Sequence, residues 1–301
     1  MNANSYLHRF GGVPNIAGCP PVGTVAKIFE TALQTAHNSL VNSLLPPHGK
    51  DAETDEDGYS PLHNARAAAR PLLFRTGIAE VPVGICGTTF LVGRKGRVFL
   101  ITAAHLIRDA HSEIVLVFPC DGSQTPLTLS NGFSVGLGDG HSDEYDVIVY
   151  EITFNDIPKA DRLKSRIYWL DQEWALNWQP DCYNSLFFLM GYPKEMNEVD
   201  YDNRVLNTNQ VLLSGGYVWS ADGQTTLHAV DIDNPLPIRH FGGLSGSPVL
   251  SLTSRLASSS IIRFCGIAVW GTAEAERIHF LEARVIVDLI DQAAEHLRFT
   301  C

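Results

Sequence analysis

Between about residues 72 and 283 the chain runs in short apolar segments, rich in Val, Ile, Leu and Phe, each cut off by Gly, Asn, Asp or Pro. The segments are GTTFLVG (87–93), RVFLITAAH (97–105), EIVLVFP (113–119), YDVIVYEI (145–152), SLFFLMGYP (185–193), QVLLSGG (210–216), TLHAVDI (226–232), GSPVLSL (246–252) and RFCGIAVWG (263–271). Their length and their β-branched and aromatic content predict strands. Long helical patterns between them are mostly missing, which favours an all-β pair of small barrels or a sandwich over a βαβ sheet. The stretch 159–173 is the candidate connection between two halves. From about residue 283 to 297, Ile286, Leu289, Ile290, Ala293 and Leu297 change to helical spacing and predict one closing amphipathic helix.

The first seventy residues have a different texture. Val25, Ile28, Phe29, Ala32, Leu33, Ala36, Leu40, Val41, Leu44 and Leu45 form one stripe of a helix over about residues 24–45, which Pro46 and Pro47 end. The acidic, apolar-poor stretch GKDAETDEDGYSP that follows predicts an exposed loop or linker. The expected organisation is an extension over 1–70 and a β domain over 71–298. Its first barrel covers about 72–160, its second about 180–283, and its terminal helix about 283–297. The stripe must dock either on the chain's own barrels or on a regulatory protein partner.

Charge narrows the partners. With 33 acidic against 22 basic residues the formal net charge is −11, so the surface repels phosphate backbones and anionic lipid, and neither nucleic acid nor a membrane is expected as a partner. No run of apolar residues is long enough to cross a bilayer. The first twenty residues lack the basic start and apolar core of a secretory signal. The six cysteines, Cys19, Cys86, Cys120, Cys182, Cys265 and Cys301, include no CxxC pair. A zinc knuckle is therefore unsupported, no metal or cofactor is expected, and reduced thiols in a cytoplasmic setting are the expectation.

Amide hydrolysis needs a nucleophile, a base, a group that orients the base, and donors for the oxyanion. Ser245 lies in the glycine-rich turn FGGLSGSPV (241–249), whose backbone N–H groups can converge on an anion. His105 follows the apolar run VFLITAA (98–104) and carries an imidazole suited to base chemistry. Asp146 opens DVIVYE (146–151), a carboxylate at the head of a run expected to be buried. The order His, Asp, Ser puts the first two in one half of the β region and the serine in the other. An α/β-hydrolase would require glycine at position 247, where Ser247 stands, and would place its acid and histidine after the serine. No HExxH supports a zinc protease, and no cysteine replaces Ser245.

Three motifs in this order resemble the chymotrypsin/trypsin-like serine proteases. TAAH (102–105) matches that family's histidine motif, GLSGSP (243–248) resembles its GDSGGP, and GIAVWG (266–271) resembles its GIVSWG strand. The resemblance covers roughly residues 72–298. It implies an all-β fold of two antiparallel six-stranded barrels with a C-terminal helix, to which this chain adds the helical N-terminal extension that has no counterpart in that family. It implies a serine endopeptidase acting on protein or peptide substrates through an acyl-enzyme, with His105, Asp146 and Ser245 as the triad. The backbone N–H groups of Gly243 and Ser245 would form the oxyanion hole. Val269, Trp270 and Gly271 would pair with the substrate backbone, and Arg239 would occupy the floor of the specificity pocket and favour an acidic residue before the cut. His240 and His279 are candidate helpers. The alternative is a catalytically silent barrel acting as an interaction module. Departures are plain: Leu244 replaces the aspartate that pairs with a newly cut N-terminus, and Leu106 replaces the cysteine that would bridge to Cys86.

Overall fold

The computed structural model describes residues 61–109, 115–118, 126–127, 129–134, 145–152, 166–170, 185–203, 205–218, 226–233, 238–254 and 260–296. The predicted helix over 24–45 and the acidic stretch after it lie outside these residues.

The described chain starts with a helix that hydrophobic patterning did not predict, α1 (Pro61–Ala68). It buries Leu62, Ala65 and Ala68 and runs directly into β1 (Ala69–Arg75). β1 pairs antiparallel with β2 (Val83–Arg94), and β2 turns back into β3 (Arg97–Thr102) through Lys95 and Gly96, the two-residue left-handed turn that matches strand twist. A short helix, α2 (Ala104–Asp109), follows β3. The strands β4 (Val115–Leu116), β5 (Leu129–Ser134) and β6 (Ile148–Ile152) complete a sheet of order β4-β1-β2-β3-β6-β5. A two-residue strand β7 (Tyr168–Trp169), inside the expected connection, adds to β2 in parallel. Among the described residues this first sheet is a curled half-barrel.

The second half closes fully. β8 (Ser185–Gly191) is followed by a small ribbon of β9 (Glu198–Asp200) and β10 (Val205–Asn207), then by β11 (Val211–Val218), β12 (Leu227–Ile232), β13 (Pro248–Ser254), β14 (Ser260–Thr272) and β15 (Arg277–Glu282). Closure runs β11-β12-β15-β14-β13-β8. Inward-facing Phe187, Leu189, Leu213, Val230, Val249 and Phe280 fill the barrel, as alternation along a strand requires. The last helix, α3 (Ala283–His296), stands where helical spacing predicts it and buries Ile286, Leu289, Ile290 and Ala293.

Among the contacts that join the halves are an aromatic cluster and an ion pair. Phe90 on β2, Tyr168 on β7 and Phe264 on β14 form an aromatic cluster, with Phe264 stacked 5.5 Å from Phe90. Arg94 makes a bidentate pair with Asp291 of α3, both contacts at 2.7 Å, clamping the β2–β3 turn to the closing helix.

Burial on β12 leaves one acid-sensitive group. His228 shares a 2.7 Å hydrogen bond with the Tyr217 hydroxyl, and desolvation pushes its imidazole down from 6.5 to about 4. Between those values the unfolded chain binds a proton that the folded chain excludes. The stability contribution is therefore complete above about pH 6.5 and lost as pH falls toward 4. The thermal midpoint of the wild type should drop through that window more steeply than that of His228→Gln. Parallel profiles would contradict the assignment.

Candidate active site

The site begins with a mismatch in strand length. β2 extends beyond its pairing with β3, whose register ends at Phe90 opposite Ile101, so the Thr88 N–H faces no β3 partner. It donates instead to the Ser245 carbonyl at 3.0 Å. The Thr88 hydroxyl donates to the Gly243 carbonyl at 2.7 Å and accepts the Tyr192 N–H at 2.9 Å. Thr102 in turn donates its hydroxyl to the Thr88 carbonyl at 2.8 Å. Thr88, fully buried, thus ties the first sheet to the turn carrying Ser245. Sequence reading missed it, because a threonine inside GTTFLVG looks like ordinary strand composition.

The turn itself requires glycine at two positions. Gly243 has φ +95° and a Cβ there would stand 2.4 Å from the Tyr192 carbonyl oxygen. Gly246 has φ +85° and a Cβ there would stand 2.0 Å from the Thr88 carbonyl oxygen. Between them Leu244 is 2 % exposed and belongs to the apolar core of the second barrel. A permanently buried leucine therefore anchors the turn where the resembled family uses an ion pair. The Gly242 carbonyl accepts from the Lys194 N–H at 2.8 Å. A trans peptide points its N–H opposite its carbonyl, so the Gly243 N–H faces away from Lys194. Among the described residues neither the Gly243 nor the Ser245 N–H has an intramolecular acceptor.

His105 lies in the first turn of α2, just past the end of β3, and not at the strand end itself. Its Nδ1 is hydrogen-bonded to Asp146 Oδ2, and its backbone N–H donates to Asp146 Oδ1 at 2.8 Å. Asp146 precedes β6, which pairs with β3, and this pairing brings the two side chains together. Their side chains are 30 % and 16 % exposed, so the imidazole keeps an exposed edge. The next residue, Leu106, packs on Gly87, and the Ser245 carbonyl abuts the same glycine. Leu106 thereby fills the place of a bridging cysteine, while Cys86 is buried as a free thiol whose pKa burial pushes up to about 12.

Ser245 Oγ donates to the Val269 carbonyl at 3.1 Å, and among the described residues no hydrogen bond joins it to His105. That carbonyl is accessible because β14 is irregular here: Ala268 pairs with Phe280 and Trp270 with His279, so Val269 is left over as a bulge. β13 stops pairing with β14 at Ile267, so the edge from Val269 to Gly271 has no strand on that side among the described residues. Trp270, 52 % exposed, stacks on His279 with ring centroids 3.6 Å apart. Arg239 and His240 are exposed, and the Arg239 backbone N–H donates to Glu195 Oε2 at 2.9 Å. A guanidinium in contact with water is a weaker anchor for a carboxylate than a desolvated one.

A curled first sheet, a closed six-stranded second barrel and a C-terminal helix, with Ser245 on the loop before β13 and His105 just after β3, define the chymotrypsin fold. Comparison with solved structures finds similar chains, one of them above a TM-score of 0.5. A double mutant of human heparin binding protein (CAP37) superposes with a TM-score of 0.51 at 12 % identity, covering 77 % of this chain and 93 % of that one. Human heparin binding protein itself gives 0.49 at 12 % identity, covering 82 % of this chain and 96 % of that one. A Glu endopeptidase in complex with MPD gives 0.47 at 15 % identity, with 76 % and 90 % covered. No protein-family model and no curated protein matches the chain.

Proposed function

We propose that the chain is a serine endopeptidase that cleaves protein or peptide substrates through an acyl-enzyme, with Ser245 as nucleophile, His105 as general base and acid, and Asp146 as the group that orients the imidazole. The observation that carries this reading is the two-point hold of Asp146 on His105. One carboxylate oxygen takes Nδ1 and the other takes the backbone N–H, which fixes the ring and leaves Nε2 to exchange protons. Catalysis would require the Ser245 hydroxyl to leave the Val269 carbonyl and donate to that nitrogen. The Gly243 and Ser245 N–H groups would receive the oxyanion. An extended substrate would add as a strand to the edge from Val269 to Gly271, beside the exposed Trp270 face. Arg239 would give a preference for acidic side chains. With Leu244 already buried, the turn is assembled without a newly cut N-terminus.

One observation favours a second reading. The Ser245 hydroxyl rests on Val269 and not on His105, which suits a catalytically silent barrel serving as an interaction module. A fluorophosphonate probe separates the two, since it reacts only with an activated serine. The expected result is stoichiometric labelling of the wild type at Ser245, lost in Ser245→Ala and reduced by at least about 10³-fold in rate in His105→Ala. An unlabelled wild type would favour the silent module.

A further inference from the structure

One lysine lies along the serine turn with no ion-pair partner among the described residues. Lys194 opens a single 3₁₀ turn (Lys194–Met196) between β8 and β9, and its backbone N–H donates to the Gly242 carbonyl at 2.8 Å, which fixes it to the turn that carries Ser245. Its stem follows that turn outward. A Cβ built on Gly243 would stand 3.2 Å from Lys194 Cγ, and one built on Gly242 would stand 3.9 Å from Lys194 Cδ. The side chain is exposed, so the stem rests on protein while the ammonium stays in water. The neighbouring Glu195 carboxylate is turned to the Arg239 N–H, which donates to its Oε2 at 2.9 Å.

The ammonium lies on the side of Ser245 toward β2. Burial pushes the Cys86 thiol up, and the charge of Lys194 is the strongest influence opposing it, so that charge is within electrostatic reach of the strand. Ser245 itself stands between two strands. Its hydroxyl donates to Val269 on β14, while its carbonyl accepts from the Thr88 N–H on β2 at 3.0 Å and abuts Gly87. A substrate strand laid along Val269 to Gly271 and crossing Ser245 therefore continues toward β2 and Lys194.

We infer that Lys194 is a specificity-determining residue on the leaving side of the cut and selects substrates with acidic side chains in the first two residues after it, an inference that rests on the hydrolytic reading of Ser245. An ammonium is a compact point charge on a flexible four-carbon stem, so it suits a carboxylate that arrives from either of two neighbouring positions. Contact with water keeps its effect to a modest factor and not an absolute requirement. The demand differs from the one placed on Arg239, which concerns the residue before the cut.

Partition of the acyl-enzyme between water and added amines tests it on the full chain. The enzyme is acylated by the nitrophenyl ester of N-acetylglycine, whose uncharged acyl part makes no demand on Arg239, and the Glu-Glu, Gln-Gln and Lys-Lys dipeptide amides compete with water for the acyl group. The ratio of amide to acid product does not depend on how fast the acyl-enzyme forms. At low salt Glu-Glu amide should capture about threefold to fivefold more acyl group than Gln-Gln amide, and Lys-Lys amide less than either. Sodium chloride at about 1 M should remove the preference. Each amine has the same intrinsic reactivity with every variant, so comparison across variants isolates the side chain: Lys194→Gln should flatten the three ratios, Lys194→Glu should invert them and Lys194→Arg should keep their order. Equal capture of the three amides, or none at all, by a wild type that the fluorophosphonate labels at Ser245 would overturn this inference alone. So would an undiminished preference in Lys194→Gln. A wild type that is neither labelled nor acylated would overturn the hydrolytic reading and this inference with it.

Discussion

Asp146→Asn should slow fluorophosphonate labelling of Ser245 by about 10⁴-fold while leaving the fold intact. Both oxygens of Asp146 are engaged by His105, one by Nδ1 and one by the backbone N–H at 2.8 Å. Asparagine keeps the shape and can keep the backbone contact through its carbonyl. Its amide then faces Nδ1 as a donor, so the ring must accept there and carry its proton on Nε2. That is the tautomer that cannot take a proton from Ser245. Loss should therefore be nearly all in the rate of bond formation, with the thermal midpoint changed little. Raising pH should recover part of the rate, because hydroxide can deprotonate the serine without the imidazole. A labelling rate within tenfold of the wild type at pH 7 would show that Asp146 does not orient the base, and the assigned triad would fail with it.

What could be read from the chain differs by element for physical reasons. The strands of the closed barrel were legible because both their faces carry apolar runs, as in SLFFLMG on β8 and FCGIAVWG on β14. The closing helix was legible because its apolar positions keep helical spacing over four turns. α1 was not: PLHNARAA mixes Pro, His, Asn and Arg, and its burial rests on one leucine and small alanines. The ribbon β9–β10 was missed because EVD and VLN are too short and polar to show a period. β7 is two residues long and parallel, so nothing local could announce its pairing to β2.

The candidate site was legible as letters and not as geometry. TAAH, DVIVY and GLSGSP marked His105, Asp146 and Ser245, and the structure brings His105 and Asp146 into contact. The bulge that frees the Val269 carbonyl depends on the register between β14 and β15, a long-range property with no local signature. The exposure of Arg239 is likewise set by the folded surroundings of its loop and has no local signature. The resemblance gave its position in the chain and said nothing of its surroundings.

Thr88→Val is the second substitution with a large expected effect, and it tests whether the serine turn is held from the first sheet. Valine preserves the shape and the backbone bond from the Thr88 N–H to the Ser245 carbonyl, but it removes the hydroxyl that links Gly243 to Tyr192. The Gly243 carbonyl and the Tyr192 N–H are then left buried without that partner, at about 1–3 kcal/mol each, so stability should fall by about 2–6 kcal/mol. The same loss loosens the residue whose N–H is assigned to the oxyanion. Removing such a donor outright costs on the order of 10² to 10³ in rate, and a displaced one should cost about tenfold to 10². Thr88→Ser, which keeps the hydroxyl, should recover most of the labelling rate while losing only the methyl packing. Equilibrium unfolding in urea, run beside fluorophosphonate labelling below the unfolding transition, separates the two effects. If Thr88→Val were destabilised as expected yet labelled Ser245 at the wild-type rate, Thr88 would be a packing residue of the sheet interface and the oxyanion turn would be held by its backbone hydrogen bonds and Leu244.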